Sequence, residues 1–161
     1  MIRGWPTTLI AAGWTLISYA DPSNGAERFQ ADQWRAECEG AAPGTDCSVI
    51  VTFRPMRLDG SYALAVNMRS GIVAIVGDPP PLAATLQIDH FPKIRCSGPQ
   101  YCLFPIAESA AAAAQLAAGS IALVDVETKN GVLHSSLSTN GYRAALAKIW
   151  SWRNSPAPRA P

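Results

Sequence analysis

Apolar and polar residues alternate with a period of two through much of this chain, the pattern of strands with one buried face. The segment "QWRAEC" (33–38) sets Trp34, Ala36 and Cys38 against Gln33, Arg35 and Glu37. In "SYALAVNM" (61–68) the apolar set is Tyr62, Leu64, Val66 and Met68, and in "ATLQIDH" (84–90) Leu86 and Ile88 lead to His90. The β-branched run "CSVIVTFR" (47–54) stops at Pro55. "GIVAIVG" (71–77) is apolar without a break, which predicts a strand buried on both faces. "SIALVDVE" (120–127) and "VLHSSLS" (132–138) read as a hairpin with Asn130-Gly131 in its tight turn. Turn residues separate the runs, most plainly "DPPP" (78–81).

Two stretches change the period. "AESAAAAAQLAAG" (107–119) is alanine-rich, predicts a helix ending at Gly119, and must lie close to a sheet or stay largely exposed. "GYRAALAKIW" (141–150) puts Tyr142, Ala145, Leu146, Ile149 and Trp150 on one helical stripe and turns Arg143 and Lys148 away. Leu146, in the middle of that stripe, is expected to be its most buried member. Thr139 or Asn140 is placed to cap this helix. The chain therefore predicts a mainly β domain, an antiparallel β-sandwich or barrel-like sandwich, carrying an Ala-rich helix and a short C-terminal amphipathic helix. The expected limits are a polar leader at 21–32, the domain at 33–152 and a disordered Pro-rich tail at 153–161.

Composition changes the picture first at the N-terminus. Arg3 precedes an uncharged stretch, "GWPTTLIAAGWTLISYA" (4–20), which ends in the small residues Ser18 and Ala20 around Tyr19. That is the layout of a secretory signal peptide over 1–20, with cleavage expected after Ala20. The other reading is a retained anchor, although seventeen helical residues rise only about 25 Å against a hydrocarbon core of about 30 Å. Membrane contact is expected only if 4–20 stay uncleaved.

An exported chain matures where thiols oxidise, so four cysteines predict two disulfides. Three pairings are open. The local ones, Cys38–Cys47 around "EGAAPGTD" and Cys96–Cys102 around "SGPQY", are favoured because each Gly/Pro-rich interval reads as a turn between two strands. Structural zinc sites and redox pairs use closer spacings, so no metal or cofactor is expected.

Loss of Arg3 with the leader would equalise basic and acidic residues, of which the chain has 13 and 12. Nucleic-acid binding, which relies on clustered Lys and Arg, is not expected. Nor is a catalytic constellation. Ser136, His134 and Asp125 make a triad only on paper, without the G-x-S-x-G elbow. His90 likewise has no evident catalytic partners. Asp89, Asp125 and Glu127 read as solvent-facing strand positions rather than a glycosidase pair. The remaining candidates are surface groups for a partner: Pro99 and Tyr101 in the second cysteine loop, and Trp150 and Trp152 at the end of the last helix.

In order, the features resemble the invasion-associated locus B family of exported bacterial proteins, over about residues 29–150. The residues that carry the resemblance begin with Trp34 and Cys38 in a W-x-x-x-C spacing, then "CSVIVTF", then "LQIDHFPKIRC" with Ile-Asp ahead of the third cysteine. "CSGPQYC", the Ala-rich stretch and "LSTNGYRAALAKI" complete it. Tyr142 stands where that family usually has Phe, and "PPP" replaces a Pro-Gly type turn. The resemblance implies a signal-bearing periplasmic or envelope-associated sandwich with disulfides and no known catalytic residues. Some members serve host-cell invasion, while others occur in free-living bacteria. The expected function is thus non-enzymatic binding of an unidentified protein or envelope component. Inhibition of a hydrolase, or service as an accessory subunit of a membrane complex, are the alternatives.

Overall fold

The alternating segments form strands, and the strands join into a single sheet. The computed structural model describes residues 27–39, 46–54 and 60–154. The expected signal segment and the end of the Pro-rich tail lie outside the described residues. The strands are β1 (Glu27–Ala31), β2 (Trp34–Cys38), β3 (Cys47–Phe53), β4 (Ser61–Asn67), β5 (Val73–Asp78), β6 (Ala83–Ile88), β7 (Ile94–Ser97) and β8 (Cys102–Leu103). Helix α1 (Ile106–Ala118) follows, then β9 (Ile121–Thr128), β10 (Gly131–Ser138) and helix α2 (Asn140–Asn154). All pairs are antiparallel, in the order β1-β2-β3-β4-β5-β8-β7-β6-β9-β10. The sheet curls into a half-barrel, the barrel-like form of the expected β architecture.

Its concave side is the core. Trp34, Val49, Val51, Leu64, Ile75, Leu86, Ile88 and Val124 are fully buried there. Helix α2 packs across β1, β2 and β3, while α1 lies beside β5, β6 and β7. The alanine-rich α1 approaches closely through one stripe, Ser109, Ala112 and Leu116. Ser109 Oγ donates to the Phe104 carbonyl at 2.9 Å and accepts the Val73 N–H at 3.0 Å. Ser109→Ala would leave that buried N–H unpartnered. It should lower stability by about 1–3 kcal/mol, measured as a shift in denaturant midpoint with unchanged slope.

Trp34 is the centre of the closure. Its ring meets Tyr142 of α2 edge-on at 5.1 Å, and its Nε1–H donates to the Ser138 carbonyl of β10 at 2.6 Å. That bond ties the second strand to the last and draws the two ends of the sheet together. Burial pushes the Tyr142 hydroxyl up to about 12, so it stays neutral. Gly141 lets α2 start directly against β1, where a Cβ would run into the Ala31 carbonyl.

Both local disulfides are present. Cys38 and Cys47 face each other across β2 and β3 with Cα atoms 4.0 Å apart, and Cys96–Cys102 joins β7 to β8 at 5.3 Å.

Six expectations need correcting. Residues 27–31, read as leader, form edge strand β1, because Phe29 and Ala31 turn inward beneath α2. The run 71–77 is not buried on both sides: Val73 and Ile75 face the core, but Val76 is 40% exposed. The hairpin turn holds Lys129 and Asn130, with Gly131 paired to Thr128 and adopting φ +125°. Helix α2 continues through Asn154, so Arg153 and Asn154 are helical rather than tail. Finally, Leu146 is only partly buried, whereas Tyr142, Ala145 and Ile149 carry the packed stripe. Thr139 is no side-chain cap either, since its hydroxyl donates to the Gly119 carbonyl.

Candidate docking surfaces

Every second residue of the curled sheet points outward. Among the described residues the helices pack on the inward side, so those outward side chains meet no helix. Strand register arranges them in rows. Ile50 lies opposite Ala65, Ala65 opposite Ala74, and Ala74 opposite Leu103. In the next row Ala63 lies between Thr52 and Val76. The three alanines keep the strip flat, and Val76 and Leu103 rise from it at 40% and 43% exposure. Tyr101, two residues before Leu103, extends the strip into the loop closed by Cys96–Cys102 and is 50% exposed.

The sequence candidates divide between two sides of the sheet. Pro99 and Tyr101 are exposed in the disulfide loop beside the outward strip. Trp150 is exposed on α2, which covers the inward side. Trp152 is a weaker candidate, because it packs partly against the core with Lys148 Nζ 5.6 Å from its ring centroid. The structure therefore does not join the tryptophans and the cysteine loop into one surface. The strip itself was hidden in the sequence, although part of its signal is visible: Ile50, Ala63, Ala65, Ala74 and Val76 are apolar at outward positions, between the polar Ser48, Thr52, Ser61 and Asn67.

A second, polar region follows β10. His134 lies directly opposite Asp125, and its Nδ1 is 2.7 Å from Asp125 Oδ1. A carboxylate only accepts, so Nδ1–H is the donor. Ser136 is two residues along on the same outward face, but no hydrogen bond links it to His134 among the described residues. The paper triad is thus a dyad with no engaged nucleophile. Glu127 is bound by both terminal nitrogens of Arg95, at 2.9 and 3.1 Å. Asp89 is not a strand residue. It sits in a turn at φ +45° and accepts the Ser120 and Ile121 N–H groups at 2.9 and 3.0 Å, anchoring the start of β9. His90 is exposed beside it, stacked on Phe91, rather than facing inward with Ile88.

Two open troughs flank β10. One, about 570 Å³, is lined by Gln30 and Gln33 of the β1–β2 hairpin, Thr52, Phe53 and Arg54 at the end of β3, and His134 to Leu137. The other, about 430 Å³, takes in Thr85, Gln87, Lys93, Leu123 and Asp125 and shares His134, Ser135 and Ser136.

Among the described residues no group of three or more His, Cys, Asp or Glu is placed to hold a metal ion. No described helix is long and apolar enough to cross a membrane. In comparison with known proteins, no family model, no curated protein and no solved structure matches this chain.

Proposed function

We propose that this chain is an exported, non-enzymatic binding module, similar to the invasion-associated locus B type. Its disulfides hold it rigid while it docks a protein of the cell envelope on the outer face of β3, β4, β5 and β8. The observation that carries the reading is the outward apolar strip from the half-buried Ile50, Ala65 and Ala74 to the exposed Leu103, with the exposed Val76 beside it. Contiguous exposed apolar surface marks interaction sites in soluble domains. Two disulfides support an oxidising compartment. The order of Trp34, the four cysteines and the two helices supports the family-like reading.

The test is cross-linking in intact envelope, followed by recovery of the chain and sequencing of its N-terminus. Val76→Arg places a cation in the middle of the strip at an exposed position, so stability should change by no more than about 0.5 kcal/mol. The expected result is that Val76→Arg loses the cross-linked partner while Arg143→Ala, on the far side of α2, keeps it. Retention of the same partner by Val76→Arg would overturn this reading.

The exposed Pro99 and Tyr101 in a stapled loop favour a second reading, insertion of that loop into a hydrolase cleft. In that case Tyr101→Ala, rather than Val76→Arg, would abolish binding.

A further inference from the structure

The two edges of the sheet differ. β1 has five residues, among them Glu27 and Arg28, and α2 packs against it. β10 has eight residues, "GVLHSSLS", without Lys, Arg or Pro. Edge strands are normally blunted by such residues, by shortness or by a cover. β10 has no such protection along its middle.

The register identifies which of its backbone groups are open. Leu82 N–H donates to the Glu127 carbonyl and Asp89 N–H to the Ile121 carbonyl, so the odd-numbered residues of β9 bond toward β6. The even-numbered ones bond toward β10, where they meet Gly131, Leu133, Ser135 and Leu137. Val132, His134, Ser136 and Ser138 must then turn their N–H and C=O groups to the free edge. The Ser138 carbonyl confirms this by accepting from Trp34 across the seam. No described group meets the backbone of His134 or Ser136, and both residues line the 570 Å³ trough.

We propose that β10 takes up an extended peptide segment by strand addition in this trough, a site separate from the apolar strip. Strand addition joins main-chain bonds on one side to side-chain pockets at alternate positions. Here the bonds would come from His134 and Ser136. The side-chain contacts would come from the cationic Arg54, which has no ion-pair partner among the described residues, and from the rims of the core residues Phe53 and Leu137, which are 7% and 4% exposed at the trough floor. The segment that fits alternates apolar and acidic residues. A second copy would also need room for its own next strand, about 4.8 Å behind the first, on the side of the trough that Gln30 and Gln33 wall off.

The probe is an end-capped heptapeptide of alternating valine and aspartate, titrated into the full chain while amide hydrogen exchange is followed. The expected result is that exchange at His134 and Ser136 slows about tenfold or more at saturation. The same peptide N-methylated at alternate residues should have no effect, and a valine–lysine peptide should replace it only for Arg54→Glu. Melting temperature confirms that Arg54→Glu is folded. Unchanged exchange at β10, or equal binding of the N-methylated peptide, would overturn the proposal. So would a dimer of the chain alone that already protects His134 and Ser136, since the occupant would then be a second copy. Val76→Arg should take up the peptide like the unaltered chain, so failure of either reading leaves the other standing.

Discussion

Trp34→Ala should destabilise the domain by about 3–5 kcal/mol, the range for emptying a fully buried aromatic site. The indole is completely buried, lies edge-on to Tyr142, and donates to the Ser138 carbonyl across the seam of the sheet. A domain of this size has about 5–15 kcal/mol in total, so the variant should unfold at much lower denaturant. Trp34→Phe separates the two contributions. It keeps most of the packing but loses Nε1–H, and should cost less, with about 0.5–1.5 kcal/mol of the loss belonging to the hydrogen bond. Both variants should also speed amide exchange in β10, because the bond that holds β2 near that edge is gone. Equal melts for Trp34→Ala and the unaltered chain would mean that α2 and the seam are not joined through this residue.

Ile149→Ala should cost about 2–5 kcal/mol, and Leu146→Ala distinctly less. Ile149 is completely buried in the core cluster, whereas Leu146 is only partly covered. Sequence periodicity pointed to Leu146, at the middle of the stripe. The helix is rotated from that reading because Gly141 allows its start to touch β1 and Tyr142 is drawn to Trp34. The packed line therefore runs Tyr142, Ala145, Ile149, and Trp150 is left exposed. Denaturant melts of the two variants decide the point: equal losses would show that α2 is seated differently.

Much of the secondary structure was legible in the sequence, because strands and helices impose different periods on which residues can be buried. Trp34, Ala36 and Cys38 alternate inward as their pattern indicates, and the local cysteine pairs close because each joins two adjacent strands. Short or polar pieces were harder. β8 has two residues and cannot display a period, while β1 carries Glu, Arg and Gln and becomes a strand only by pairing with β2 under α2.

The candidate sites were less legible for a different reason. An apolar run such as 71–77 states that both sides of a strand are apolar, but not whether anything covers each side. Burial of Val73 and exposure of Val76 follow from where the helices lie, which local sequence does not encode. The pairing of His134 with Asp125 likewise depends on hairpin register, which places the two residues opposite each other from nine positions apart. By itself the sequence determined which segments alternate, where they turn and which cysteines are near neighbours, since those depend on local geometry. Only the tertiary structure decided which edge stays open and which apolar face stays uncovered. Both are set by contacts between distant segments, foremost the bond from Trp34 to Ser138 that brings the ends of the sheet together.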